Sequence, residues 1–268
     1  MPELPEVETV KETLKTQILN KRIISVDVYH DNIISYPTTS KFKQQLINQK
    51  INDIKRKGKW LMFELDDYYL LSHLRMEGKF FIKKDEPLSK HQHVIFKFDD
   101  GLELRYQDTR KFGKMYLHNK KDVYDKKPLN ELGKEPWELT IDYLKEKYKN
   151  KKLPIKSTLL DQKIITGLGN IYADEVLFLS KINPLKLTNS LNDEQLQSII
   201  DNSKITLEKA IKLGGTTIRS YESSEGVHGR FQNELLVHTK DICPTCKSKI
   251  VKIKVGGRGT YYCPNCQK

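Results

Sequence analysis

At 268 residues, with 31% charged and 37% hydrophobic side chains, the chain is long enough for two ordinary domains or one large domain with an appended module. That composition excludes both a small disulfide-stapled scaffold and an intrinsically disordered chain. Lys and Arg outnumber Asp and Glu by 47 to 35, a net charge of +12. The excess is local: residues 243–268 carry five lysines, one arginine and no acid, and KEKYKNKKLPIK (145–156) is a second basic run. Localised positive charge is the footprint of a polyanion such as DNA or RNA, although charge runs also arise as solvated faces. No stretch approaches the roughly 18 apolar residues of a membrane span, and no basic region followed by an apolar one opens the chain. The expectation is a cytoplasmic protein with no membrane partner.

In chain order, MPELPEVETV leaves two readings open at Pro2 and Glu3: a helix lead, or a chemical end that the protein uses. From Pro5 onward, Val7, Val10, Leu14 and Ile18 recur at helical spacing, behind the proline and acids of an ordinary helix start. Segments rich in β-branched and aromatic residues follow at 22–30, 59–67, 69–76, 79–84, 93–106 and 114–119, with Asp99-Asp100-Gly101 as a hairpin turn. They predict an antiparallel β domain, sandwich or barrel, carrying the first helix. Near Pro128 the pattern turns helical. The last helix has Leu196, Ile199, Ser203, Leu207 and Ile211 along one side and stops at Gly214-Gly215. Residues 219–232, with two glycines and no apolar period, read as a mobile loop.

Three motifs carry chemistry. CPTC (243–246) and CPNC (263–266), sixteen residues apart, can wrap Cys243, Cys246, Cys263 and Cys266 around one zinc, with disulfides as the alternative. With no acid among the ligands such a site is structural, and its basic surroundings suit a phosphate backbone. GLGNIYADE (167–175) is either a glycine turn between helices or a helix start whose exposed N–H groups and Asn170 face an anion. In HLRMEG (73–78) and DTRKFG (108–113), Met76 and Phe112 are either core residues or apolar wedges which, beside an arginine, fill the gap left by an extruded base.

MPELPEVET, KGKWL, HLRMEG, DTRKFG, GLGNIYADE and the paired C-P-x-C knuckles, in this order, resemble the bacterial formamidopyrimidine-DNA glycosylase family from residue 2 to the C-terminus. The resemblance implies an α+β fold. It comprises a β-sandwich-like catalytic domain with an N-terminal helix (1–128), a helix-two-turn-helix domain with a lesion-capping loop at 219–232 (129–239), and a zinc-finger hairpin (240–268). DNA would lie between the halves. It further implies that Pro2, freed by removal of Met1, is the nucleophile that attacks C1′ of the damaged nucleoside. Glu3 exchanges protons at the sugar, Lys59 assists β-elimination, and Arg258 clamps the phosphate for δ-elimination. An α-amino group, with a reference pKa near ~8, is far more often neutral at pH 7 than a lysine.

By the same resemblance Met76, Arg110 and Phe112 intercalate, with Arg110 facing the orphaned cytosine. His91, Lys111, Lys151, Lys156 and Asn170 contact phosphates or the lesion strand. Lys111 stands where many relatives have arginine, which removes a bidentate phosphate contact. The implied protein is a monomeric base-excision-repair enzyme acting on damaged double-stranded DNA, with one structural Zn2+ and no obligate protein partner. Two rivals remain: an endonuclease VIII-like enzyme for oxidised pyrimidines, and a non-catalytic zinc-ribbon protein that binds nucleic acid.

Overall fold

A computed structural model describes residues 2–216 and 229–268. They fall into two compact units, one of residues 2–130 and one of residues 131–216 and 230–268. Among the described residues, no helix is long and apolar enough to cross a membrane.

In the first unit, α1 (Leu4–Ile18) begins with Pro5 in its first turn, and the Glu6 carboxylate accepts the Glu3 backbone N–H at 2.8 Å. This bond satisfies one of the donors that a helix start leaves without an intrahelical partner. Its apolar stripe, Val7, Val10, Leu14 and Ile18, is buried as its spacing predicts. Strand β1 (Ile23–Val28) is followed by the short β2 (Ile34–Tyr36) and α2 (Thr39–Leu46). Strands β3 (Asp53–Lys57), β4 (Trp60–Glu64), β5 (Tyr68–His73), β6 (Lys79–Lys83), β7 (Gln92–Phe98), β8 (Glu103–Gln107) and β9 (Lys114–Asn119) complete two sheets.

One sheet has the order β1-β7-β8-β6 and the other β2-β9-β5-β4-β3. Pairing is antiparallel except at β2 and β9, which run parallel. A single core joins the sheets: Val94, Phe96, Phe80 and Tyr106 from the first meet Ile54, Leu61, Phe63, Leu70 and Met115 from the second. The rings of Phe63 and Phe80 meet edge to face at 5.7 Å. Asp99-Asp100-Gly101 forms the expected turn, with Gly101 at φ 83° and Phe98 N–H bonded to Leu102 O at 2.9 Å.

The second unit contains α3 (Ile141–Tyr148), α4 (Ile155–Leu159), α5 (Asn170–Leu179) and α6 (Asp193–Lys212), then the hairpin β10 (Val251–Val255) and β11 (Arg258–Tyr262). The Asn192 side chain caps α6 by accepting Gln195 N–H at 2.9 Å. Of the loop expected at 219–232, residues 219–228 lie outside the described residues, and Phe231–Glu234 form a short 3-10 helix.

Candidate active site

Pro2 and Glu3 are both buried, immediately ahead of α1. Lys59, also buried, is not within a strand, as expected, but is the second residue of the two-residue turn joining β3 to β4. Gly58 takes the left-handed φ of 56° that such a turn needs at its first central position. Helix and turn are tied together: Arg56 Nε donates to Glu8 Oε2 of α1 at 2.6 Å, while its Nη1 donates to Gly58 O at 3.0 Å. Burial alone would raise the Glu8 pKa, but hydrogen bonds from Lys11 and Arg56 outweigh it and hold the carboxyl below its ordinary value. A charged, hydrogen-bonded pair thus fastens the start of α1 to the turn that carries Lys59.

His73, at the end of β5, stands opposite Trp60 in the register, with their rings edge to face at 4.8 Å. Burial, reinforced by the positive charges of Arg75 and Lys59, pushes its pKa down to about 3. It is therefore neutral at physiological pH, and its Nδ1 accepts the Arg75 N–H at 2.9 Å. That bond steadies Arg75 in its left-handed conformation (φ 55°), one residue before Met76.

Met76 (39% exposed) and Phe112 (49%) are not core residues. Arg110 lies over the Phe112 ring at 4.7 Å, a cation–π pair on the same turn. Lys111 beside it is exposed, in a left-handed conformation with φ 58°. His91 is half-buried, and its carbonyl accepts the Asp108 N–H at 3.0 Å. Asp108 itself was not singled out from the sequence. It begins the turn and accepts the N–H of Arg110, two residues on, at 3.0 Å. An aspartate hydrogen-bonding two residues ahead is a recognised turn signal, so DTR could have revealed it.

In the second unit, the zinc hairpin is docked by α4 and α5. Asn170 does not cap α5, whose N-cap is Gly169; it is half-buried, and its Nδ2 donates to Gly259 O at 2.9 Å. Asp174 Oδ2 accepts Tyr261 N–H at 3.2 Å and lies 2.6 Å from His238 Nδ1. Glu175 accepts the N–H groups of Leu236, Val237 and His238 at 2.7, 3.0 and 2.8 Å. The expectation of a phosphate contact fails at Lys156. Its side chain is 0% exposed, and Nζ donates to Asp174 Oδ1 at 2.5 Å and Asn170 O at 2.7 Å. A buried ammonium cannot reach a phosphate without breaking this pair, so Lys156 serves the docking instead.

Lys151 is half-buried, 3.7 Å from Asp161. Arg258 is exposed at the start of β11. The preceding Gly256-Gly257 turn has φ 54° and 78°, and a Cβ on Gly256 would lie 2.5 Å from Ser157 Oγ of α4. The turn therefore favours glycine conformations, and a side chain at residue 256 would displace the Ser157 hydroxyl.

No disulfide joins the four cysteines, and their sulfurs all lie within 4.8 Å of one another. Cys243 and Cys266 are 3.8 Å apart, and Cys246 and Cys263 3.4 Å. A tetrahedron of Zn–S bonds of about 2.3 Å has edges of about 3.8 Å, so the donor set and spacing fit one structural zinc. Phe178, Val237 and Ile250 form a small apolar layer with the buried Cys243 and Cys263.

Fold and site together define an α+β protein with a buried N-terminal proline-glutamate pair, exposed apolar turn residues and a basic zinc hairpin. Three family models match in sequence order. They are the formamidopyrimidine-DNA glycosylase N-terminal domain (residues 1–115), its H2TH domain (132–222), and a zinc finger found in FPG and IleRS (242–268). A curated formamidopyrimidine-DNA glycosylase of Oceanobacillus iheyensis is 48% identical over 100% of this chain and 98% of its own. One from Bacillus cereus is 47% identical, covering 100% and 99%. The Lactococcus lactis Fpg in complex with abasic-site DNA superposes with a TM-score of 0.92 at 41% identity, covering 100% of both chains. A G226P mutant of that protein with Fapy-dG DNA gives 0.93 at 41%, again over 100% of both. The chain belongs to the formamidopyrimidine-DNA glycosylase family.

Proposed function

We propose that this chain is a bifunctional DNA glycosylase and AP lyase that removes oxidised purines, 8-oxoguanine and formamidopyrimidines, from duplex DNA. It acts as a monomer in the bacterial cytosol. The observation that carries the reading is the buried Pro2-Glu3 start of α1, fastened through Glu8 and Arg56 to the turn that presents Lys59. With Met1 removed, the Pro2 secondary amine attacks C1′ as the bond to the base breaks and loses its proton; the C1′–O4′ bond then opens as the ring oxygen takes a proton, leaving an iminium between protein and sugar. Glu3 supplies and takes up protons at the sugar. The iminium acidifies the adjacent sugar carbon. Loss of that proton, assisted by Lys59, expels the 3′ phosphate; δ-elimination, with Arg258 donating a proton, then releases the 5′ side.

Met76, Arg110 and Phe112 fill the stack vacated by the damaged base. Arg110, Lys111, His91, Lys151 and Asn170 hold the DNA. We assign these tasks to three functional segments: residues 1–128 for chemistry, 129–239 for DNA binding with 219–232 capping the lesion, and 240–268 as the zinc finger. The exposed Met76, Arg110 and Phe112 set favours the purine enzyme over an endonuclease VIII-like one.

Borohydride trapping tests this reading. Duplex carrying 8-oxoguanine opposite cytosine should yield a covalent protein–DNA adduct, and a chain extended before Pro2 should yield none. A binding module gives no adduct with either, and stronger trapping on thymine glycol assigns the pyrimidine activity instead.

A further inference from the structure

Met76 and Phe112 project from two different turns, and neither is anchored in the core, so their aim is set by the backbones beneath them. Those backbones converge on one buried polar pair. Tyr106 is fully buried in β8, and its ring packs edge to face on Phe80 at 5.2 Å. A Cβ on Gly113 would come within 1.7 Å of the Tyr106 hydroxyl oxygen, and a Cβ on Gly78 within 2.3 Å. The turn that carries Met76 and the turn that carries Phe112 therefore each rest glycine backbone on the same atom.

Asp108, 0% exposed, completes the arrangement. Its Oδ2 accepts the Tyr106 hydroxyl at 3.3 Å and Gly113 N–H at 2.8 Å, and its Oδ1 accepts Arg110 N–H at 3.0 Å. Its main chain adds three links: its N–H donates to His91 O at 3.0 Å, its carbonyl accepts Lys111 N–H at 3.3 Å, and His93 Nε2 lies 3.0 Å from that carbonyl. A phenylalanine and an apolar residue would fill this space without the desolvation that a phenol and a carboxylate incur. What the polar pair adds is geometry, because a satisfied buried network specifies one arrangement of the groups it joins.

We propose that Tyr106 and Asp108 are positioning residues that lock turns 74–78 and 108–113 together, so that Met76, Arg110 and Phe112 enter the duplex as one preformed wedge. This rests on the intercalating reading of those three residues. Neither Tyr106 nor Asp108 touches the reacting atoms. Their contribution is confined to extrusion of a base from a duplex and is absent where no stacked base must be displaced.

The test compares Tyr106→Phe and Asp108→Asn with Phe112→Ala and Met76→Ala in the full-length zinc-loaded protein. Three readouts are taken: single-turnover excision of 8-oxoguanine from duplex, fluorescence of a 2-aminopurine stacked beside the lesion, and strand cleavage at an abasic site in single-stranded DNA. Displaced by part of an ångström, the wedge should excise from duplex at least about tenfold more slowly and give a weaker fluorescence change. Single-strand cleavage by Tyr106→Phe and Asp108→Asn should stay within about twofold of the unsubstituted protein.

If these two variants excise from duplex at the unsubstituted rate while Phe112→Ala is impaired, the positioning role is overturned and the intercalating reading stands. If duplex and single-strand cleavage fall in proportion, the pair is merely structural and the proposal fails. If Phe112→Ala and Met76→Ala both leave duplex excision unchanged, the intercalating reading itself fails.

Discussion

Lys59, Met76 and Phe112 project from turns of a β-sandwich whose apolar core runs through both sheets, whereas Arg258 projects from a two-stranded hairpin that has little core of its own. A lone hairpin is marginal in water. The first unit can therefore hold its turns by packing, with polar links beside them, the part-buried Arg56 to Glu8 and the buried Tyr106 to Asp108. The second unit holds its hairpin with four thiolates around a metal and with hydrogen bonds to the side chains of Asn170 and Asp174, while Glu175 accepts the N–H groups of residues 236–238 that lead into it. Rigidity comes from buried apolar area in one case and from ligation and charge in the other, so the two should fail under different insults.

Metal removal should separate them most sharply. Structural zinc contributes apparent folding free energy of about 10–16 kcal/mol in small zinc modules. Chelation, or Cys266→Ser, should unfold the hairpin and abolish duplex binding in a gel-shift assay. The circular-dichroism melting transition of the sandwich should remain. Loss of both transitions at once would show that the sandwich also depends on the metal.

A smaller effect is expected at Lys156. Replacing it with Met leaves Asp174 buried without its ammonium, which costs about 3–5 kcal/mol and should lower the urea midpoint of the second unit. If Lys156 served phosphates instead, the midpoint would hold and the salt dependence of binding would fall by about one unit of slope.

The smallest difference is in pH response, and its sign differs between the units. His73 titrates near 6.5 when unfolded but at about 3 in the fold, so its contribution is complete above 6.5 and is lost as pH falls toward 3. For Glu175, burial raises the carboxyl pKa despite three backbone N–H bonds and the His238 charge. Its contribution is complete below the ordinary carboxylate value and is lost as pH rises through the raised one. Denaturation across pH 4–7 with Glu175→Gln should flatten only the transition of the second unit; flattening of the first would assign the effect to the wrong unit.

Some elements were plain in the residues because a single period or spacing announces them. The stripe of α1, the Asp99-Asp100-Gly101 turn, the long strands and the cysteine knuckles are of this kind. Strand β3 gives no strand signal in the sequence because DIKRK is almost wholly charged and buries only Ile54. Helix α2 is too short to show a period beyond Phe42 and Leu46, one turn apart. Lys156 reads as a surface charge in the sequence because it stands in a basic run. Its acid partner, Asp174, is eighteen residues away in the chain.

The sequence by itself determined the two kinds of structure, the zinc ligand set, and the family whose motifs the chain carries, since each depends on residue type and local spacing. Only the tertiary structure decided which polar groups are interior and whom they meet. Tyr106 and Asp108 are adjacent to one of the turns they join but 28 and 30 residues from Gly78 at the other, and the oxygen on which both turns rest belongs to neither. Burial and contact between residues distant in the chain are properties of the packed fold. They turned a lysine of the basic run into a docking residue and set Tyr106 and Asp108 beneath both turns.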